Sequence, residues 1–475
     1  MSELHHMSLL DVLAAFRSRE LSPVEYLDHH IARIGAHDGS INAVMDVMEE
    51  SAAPAARRAA EVYAGAADDE PLPALLGVPL LVKEQHDVEG CSATRGSRAR
   101  VGQVARADNP IVGRLRGAGA IPFARTTTPE LSCATFTQTA EWGVTRNPFS
   151  PAYTPGGSSG GSGAAIAAGY GPLATASDIA GSTRIPAAFG GLPGFKSPYG
   201  RTPGLAPLST DWYRGDHVLA RSVADTAHAT NVIVGPHAGD HATIAPAHVL
   251  PTAFAGAAGV AGMRIAVSPD LGCYDVDPEV LDGFGAVVRA LADAGAEVVE
   301  VDPGLSLDDI TDASSAHYGH LLALHMTRVC GGDLDLLEPY SKRFVEYTRD
   351  FAERISLLES ADIETRVQAQ IAQAMAGCDA LLTPTSAIAA LEADNAYLEA
   401  VERPAGPVDF YWQAHMTIPF NIANRCPVLA VPSGVGPTGV PTSVQIVGHP
   451  FDDDTVFTIG AAVEELLPFP RSPLM

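Results

Sequence analysis

Between Asp277 and Ala294, apolar Val280, Leu281, Phe284, Val287, Val288 and Leu291 recur at helical spacing and form one stripe. Short apolar runs flank the stripe, Met263 to Val267 before it and Glu297 to Val301 after it. Strand, helix and strand in that order predict a βαβ unit and hence a parallel pair. The same reading predicts helices over Ser8 to about Ala60, with Ser22-Pro23 restarting the second as a serine cap and a first-turn proline. Ala64 to Pro73 is small, acidic and proline-bearing and predicts a surface loop. Strands are expected at about Leu75 to Val82 and Ala120 to Ala124, with a helix from Asn109 to Arg116 between them. Ser162 to Ala168 predicts a short, tightly packed helix, and Leu173 to Ala176 a strand. After Gly200 the pattern is helix-rich and less regular, and Gly235 to Gly262 reads as a long connection. Val428 to Val431 and Thr442 to Val447 read as strands joined by the turn GVGPTGV. Helices alternate with strands and no segment repeats, so the expected class is α/β with a large mixed sheet.

Composition narrows the partners. The chain has 475 residues, 46% of them apolar and 18% charged, which supplies a large buried core. That length suits two or three ordinary domains or one large α/β unit. The net charge of −26 argues against nucleic acid and against anionic membrane surfaces. No basic n-region with an apolar stretch opens the chain, and no apolar run reaches the length of a membrane span. The cysteines Cys91, Cys133, Cys273, Cys330, Cys378 and Cys426 have neither CxxC nor Cys/His zinc spacing. They read as reduced, mostly buried thiols of a cytoplasmic protein.

Two serines 24 positions apart, Ser158 and Ser182, stand out in the Gly/Ser-rich stretch from Thr154 to Pro186. Lys83 ends the apolar run LLGVPLLVK and is one of three lysines, with Lys196 and Lys342. Two hydroxyls and an amine supply a nucleophile, a proton relay and a base, sufficient for acyl transfer without histidine or metal. Lys83 lies at the carboxyl edge of its strand, where open α/β sheets place their sites, although a lone strand-end lysine more often reaches to solvent. In a dry pocket burial disfavours the ammonium, and a neutral amine is a base. Glu84 would oppose deprotonation, but neighbours in a strand face opposite ways. Around Ser158 the glycines permit close approach of other groups. A flexible linker has the same composition, but the apolar, alanine-rich helix that follows at once speaks for packing. Ser182 follows Asp178-Ile179-Ala180-Gly181, a run able to curl its N–H groups into a nest for an oxyanion. Asp178 and Arg184 flank Ser182 and can pair to brace the loop. Standing alone, the segment reads better still as an ordinary turn with a capping serine and a surface ion pair.

Taken together, GVPLLVKE (Gly77 to Glu84), TPGGSSGGSGAAIAAG and DIAGSTRIPAAFGGLPGFKSPYGR (Asp178 to Arg201) resemble three blocks of the amidase signature family of serine hydrolases. These are its lysine strand, its glycine/serine block and its nucleophile loop. The N-terminal helices and the segments PFNIANRCPVLAVPSG and TSVQIVGHPFDD are similar to the family too, and the 24-residue gap is the spacing that the family keeps. The resemblance spans nearly the whole chain and is weakest between about Ser209 and Glu392. It implies one amidase domain over residues 1–475, with a variable helix-rich pocket region at about 200–392. It implies a large mixed, mostly parallel central sheet covered by helices on both faces. Carried over, Ser182 is the nucleophile, Ser158 the relay after a cis peptide bond from Gly157, and Lys83 the base. The N–H groups of Ile179, Ala180, Gly181 and Ser182 form the oxyanion hole, with Asp178 and Arg184 in support. No cofactor or metal is implied. The substrate is a small-molecule amide, ester or carbamate such as a urethane, and homodimers are common among similar proteins. Two positions depart from the family: Ala180 stands where glycine is usual, and Glu84 where aspartate is usual.

Other readings compete. Gly156-Gly157-Ser158-Ser159-Gly160 satisfies the G-x-S-x-G elbow of α/β-hydrolases, with Ser158 as nucleophile, but the preceding NPFSPAYTP is poor strand material. The chain also suits the amidase subunit of a glutamine-dependent amidotransferase, or a binding protein without activity, which the presence of all three polar residues disfavours. The pocket is expected from Gly200 to Glu392, Cys133 to Trp142 and Phe410 to Trp412. Asp452-Asp453-Asp454, His5-His6 and His29-His30 lack a metal pattern, and His86 reads as a hydrogen-bonded structural histidine.

Overall fold

The computed structural model describes residues 4–67 and 69–474. Its strands are β1 (Val44–Val47), β2 (Pro79–Lys83), β3 (Ile121–Thr126), β4 (Gln138–Thr139), β5 (Gly143–Val144), β6 (Leu173–Asp178) and β7 (Gly194–Lys196). They continue as β8 (Gly215–Ala220), β9 (Arg264–Val267), β10 (Glu297–Glu300), β11 (Ala380–Pro384), β12 (Val428–Val435) and β13 (Pro441–Gly448). Eleven of these form one mixed sheet in the order β1-β3-β2-β6-β8-β7-β12-β13-β11-β9-β10, while β4 and β5 pair separately. Parallel pairing joins β3, β2 and β6 on one flank and β11, β9 and β10 on the other. The remaining pairs are antiparallel. In the β12/β13 hairpin the chain returns directly beside itself, and β8 enters between β6 and β7.

Helices cover both faces, and the strand pattern shows why. In β2, Leu80 and Val82 pack with Ile111, Val112 and Ile233 of helices Pro110–Gly117 and Val223–Ile233. Leu81 packs on the opposite face with Leu27, Ala56 and Ile166 of helices Pro23–His37, Glu49–Gly65 and Gly160–Ala167. At the far end the helix Pro278–Asp293 buries Phe284, Val287 and Leu291 on β9 and β11, so the βαβ unit forms with a parallel β9–β10 pair. Leu281, placed on the same stripe by the spacing, is exposed. A third helical layer, Leu307–Tyr318, Pro339–Arg354 and Leu357–Ala374, shares an aromatic cluster with β11 and β12.

Local signals act as read. Ser22 accepts from the Val24 N–H in a capping box with Glu25, with Pro23 at the first helical position. Asn109 caps Pro110–Gly117. The helix Glu49–Gly65 runs two residues into the expected 64–73 loop, whose Asp68 lies outside the described residues. The short strand β1 interrupts the segment expected to be helical throughout. All six cysteines are free. Among the described residues no helix is long and apolar enough to cross a membrane, and no group of acidic, histidine or cysteine side chains is arranged to hold a metal ion.

Candidate active site

Lys83 shares the face of Leu81, because strand residues two apart point the same way. That face is covered by the helix Gly160–Ala167, so the amine is carried to the N-terminal end of the glycine-rich segment and is fully buried. Its own N–H donates to Thr175 Oγ1 at 2.9 Å. Nζ lies 2.8 Å from Ser158 Oγ, 3.0 Å from Ser159 Oγ and 2.9 Å from Ser177 Oγ. Burial, reinforced by the Arg214 charge, holds the amine well below the ordinary lysine range, with Asp216 and Asp178 opposing. Glu84 looks away: its carboxylate accepts from the Thr94 hydroxyl and from Trp142 Nε1. His86 is buried between Thr175 Oγ1 and Asp216. Of the other lysines, Lys196 donates to the Cys426 carbonyl and Lys342 pairs with Asp335 at the surface.

Ser158 follows a cis peptide bond from Gly157. Its carbonyl accepts from Thr128 Oγ1 at 2.9 Å, and the Ser159 N–H donates to the Ser182 carbonyl at 3.3 Å, which ties the two serine segments together. The glycines make this approach possible. A Cβ on Gly161 would lie 2.5 Å from the Thr127 backbone nitrogen, inside any real contact. Between β5 and Gly160 there is no strand beyond an isolated bridge at Tyr153, so the strand that a nucleophile elbow needs before Ser158 is missing.

Ser182 sits on the loop after β6. Asp178 and Arg184 are both fully buried and pair through Nε to Oδ2 and Nη2 to Oδ1, each at 3.0 Å. Burial alone would raise the Asp178 pKa; Arg184, with His217 and Asn421, reverses this and holds it well below the carboxylate range. Arg184 also reaches Gln445, Asn421 and the Thr417 carbonyl. Asp178 Oδ1 accepts from the Gly181 N–H at 2.8 Å, so that donor is already engaged. The N–H groups of Ile179, Ala180 and Ser182 have no partner among the described residues. Gly181 takes φ 109°, and a Cβ there would meet Thr417 Oγ1 at 2.3 Å. The left-handed position therefore falls on Gly181 and not on Ala180, which explains why alanine is accepted there.

Beside Ser182 a small cavity is walled by Cys133, Tyr318, Leu322, Phe344, Tyr411 and Trp412, with about 20 Å³ of free volume, room for one water-sized group. Phe410 stands behind it, stacked on Trp412 at 4.1 Å. Several residues of the centre carry little signal in the sequence. Ser159 and Ser177 complete the hydroxyl cage of Lys83, and adjacency to Ser158 and Asp178 was the available signal. Tyr318 and Thr417, which bind the carbonyls of Ile179 and Ala180, left no local signal.

Known proteins share this arrangement of chain. The chain is 32% identical over 486 residues to an acylamidase of Rhodococcus erythropolis, covering 98% of this chain and 96% of that one. It is 31% identical over 500 residues to the A subunit of the glutamyl-tRNA(Gln) amidotransferase of Cutibacterium acnes, covering 98% and 96%. Among solved structures, a bacterial aryl acylamidase of the amidase signature family superposes with a TM-score of 0.89 at 26% identity, over 98% of both chains. The family model described as Amidase matches residues 25–457. A match of that extent, around a buried lysine caged by serines on an eleven-stranded sheet, means that the chain belongs to the amidase family, the amidase signature enzymes, as a hydrolase of carbon–nitrogen bonds.

Proposed function

We propose that the protein hydrolyses small-molecule amides through an acyl-enzyme on Ser182, with Ser158 as proton relay and Lys83 as general base. The observation that most supports this reading is the fully buried Lys83 amine, 2.8 Å from Ser158 Oγ. Neutral Lys83 takes the Ser158 hydroxyl proton as Ser158 takes that of Ser182. Ser182 Oγ bonds to the carbonyl carbon, and the carbonyl electron pair moves to oxygen. The free N–H groups of Ile179, Ala180 and Ser182 receive that oxyanion, while Gly181 serves through its bond to Asp178, which fixes the loop. The C–N bond breaks as the proton returns through Ser158 to the leaving nitrogen. Water then repeats the sequence, releasing the acid and restoring Ser182. Ester and carbamate carbonyls, urethanes included, meet the same nucleophile. The chain of steps requires no cofactor.

The base works only when neutral, which fixes the sign of the pH dependence. Amide turnover falls as pH is lowered through the Lys83 pKa. The acidic limb of kcat/KM lies well below the 10.5 of free lysine, since burial first, and Arg214 second, disfavour the ammonium. A limb at the free-lysine value would contradict the assignment.

A second reading, the amidase subunit of a glutamine-dependent amidotransferase, is supported by relatives of that name. The cavity wall speaks for the first. Among the described residues that line it none is charged, so the α-ammonium and α-carboxylate of glutamine would find no oppositely charged side chain there. The isolated protein is expected to cleave an apolar anilide and to release no ammonia from glutamine. The reverse result favours the amidotransferase reading.

A further inference from the structure

The loop that carries Ser182 is pinned by two hydroxyls from distant parts of the chain. Tyr318 Oη donates to the Ile179 carbonyl at 3.1 Å, and Thr417 Oγ1 to the Ala180 carbonyl at 2.6 Å. Across a planar trans peptide the C=O and the following N–H point opposite ways. Fixing the Ile179 carbonyl therefore aims the Ala180 N–H, and fixing the Ala180 carbonyl aims the Gly181 N–H at Asp178.

The two pins differ in their surroundings. Thr417 does not line the cavity, whereas the Tyr318 ring is part of its wall beside Ser182. The backbone of Tyr318 is anchored from behind. His317 Nε2 meets Asp211 Oδ1 at 2.8 Å, and its ring stacks on Tyr213 at 3.8 Å. Glu364 accepts from Tyr213 Oη at 2.9 Å and from Trp212 Nε1 at 3.1 Å. The Tyr213 carbonyl accepts from Asn421, which also donates to Asp178. The helix Leu307–Tyr318 ends here and passes into a π turn, Gly319–Ala323, a distortion often found at functional sites. With the backbone held, the buried ring packs edge-on to Tyr213 at 5.9 Å and Trp412 at 6.4 Å and tilted to Phe344 at 6.1 Å, so pressure on the wall from an acyl group reaches it directly. Since only about 20 Å³ is free beside Ser182, a larger acyl group crowds the wall side chains, Tyr318 among them.

We infer that Tyr318 is a positioning residue that couples the fit of the acyl group to the geometry of the oxyanion donors, so that acyl size is read in kcat. A compact acyl group leaves the phenol on the Ile179 carbonyl and the Ala180 N–H on target. A bulky one shifts the ring, breaks that bond and leaves the donor misaimed, although the substrate is bound. The inference rests on the Ser182 reading above. It gives the wall residue Tyr318 a task in the reaction, and gives Thr417 that of fixing the loop through the Gly181 N–H bond to Asp178, without the coupling.

The test measures kcat and KM for p-nitroanilides of acetic, butyric and hexanoic acids with wild type, Tyr318→Phe, Thr417→Val and Thr417→Ser. Ser182 phosphonylation by a fluorophosphonate is followed in parallel. In wild type kcat falls from acetyl to hexanoyl. Tyr318→Phe lowers kcat for the acetyl anilide about tenfold, with KM within about twofold, and has little effect on the hexanoyl anilide. Thr417→Val lowers kcat by a similar factor across the series, and Thr417→Ser restores it. An equal loss across the series in Tyr318→Phe, a loss confined to KM, or no loss overturns the inference. Failure of the underlying reading shows separately, as a wild-type protein whose Ser182 is not phosphonylated.

Discussion

Lys83→Met lowers kcat for an amide substrate by at least about 10⁴-fold, the scale seen when one member of a nucleophile–base set is removed. Methionine keeps the length and apolar stem of lysine but has no lone pair basic enough to take the Ser158 proton. Ser158, Ser159 and Ser177 then face a thioether where an amine stood, and the relay has no terminus. Lys83→Arg does not rescue. A guanidinium stays protonated in proteins, so restoring the positive charge does not restore the base. A charge-only role for Lys83 predicts the opposite, substantial recovery in arginine. Steady-state turnover of both variants against wild type decides it, with circular dichroism confirming that each is folded.

Arg184→Leu costs about 3–5 kcal/mol of stability, the penalty for stranding one partner of a buried ion pair. Asp178 and Arg184 are wholly buried, and Arg184 also holds Gln445, Asn421 and the Thr417 carbonyl, so its loss strips these buried groups of a shared donor. Because Arg184 holds the Asp178 carboxylate low, removing it lets burial push that pKa up. The sign follows: ionised Asp178 contributes stability above the pKa of an unfolded aspartate, and this contribution is lost as pH falls through the depressed native value. In Arg184→Leu the native pKa is raised and the sign reverses: protonating Asp178 favours the folded variant, so its stability gap from wild type is widest near neutral pH and narrows on acidification. Asp178→Asn combined with Arg184→Leu recovers part of the loss, since the stranded charge is gone. Urea midpoints for the single and double variants measure the coupling. A double variant no more stable than Arg184→Leu would place the loss in the Gln445 and Asn421 contacts instead.

The legible parts of the fold are those whose cause is local. The stripe ending at Leu291 and its flanking runs report a helix buried on a sheet, and Ser22, Pro23 and Asn109 sit at helix starts for reasons contained within a few residues. The strand expected from Leu75 begins at Pro79, because Gly77 at φ 78° turns the chain and the Leu75 and Gly77 N–H groups bind Ala118 and Gly119 outside the ladder. Strands β7 and β8 stayed hidden: one spans three residues, and both lie where the pattern is irregular. Their place between β6 and β12 depends on partners far along the chain. The site divides in the same way. Lys83, Ser158 and Ser182 stand in dense, glycine-marked segments that resemble known blocks. Tyr318 lies 139 positions from the carbonyl it holds, and Thr417 lies 237 from its own. Neither a tyrosine at a helix end nor a threonine before Ile418-Pro419 announces such a task.

The most direct test of the account is covalent labelling with a serine-reactive fluorophosphonate, mapped by peptide mass spectrometry in wild type and Lys83→Ala. The account predicts one adduct on Ser182, lost when the amine is removed. An adduct on Ser158, or one on Ser182 that forms equally fast without Lys83, would contradict it.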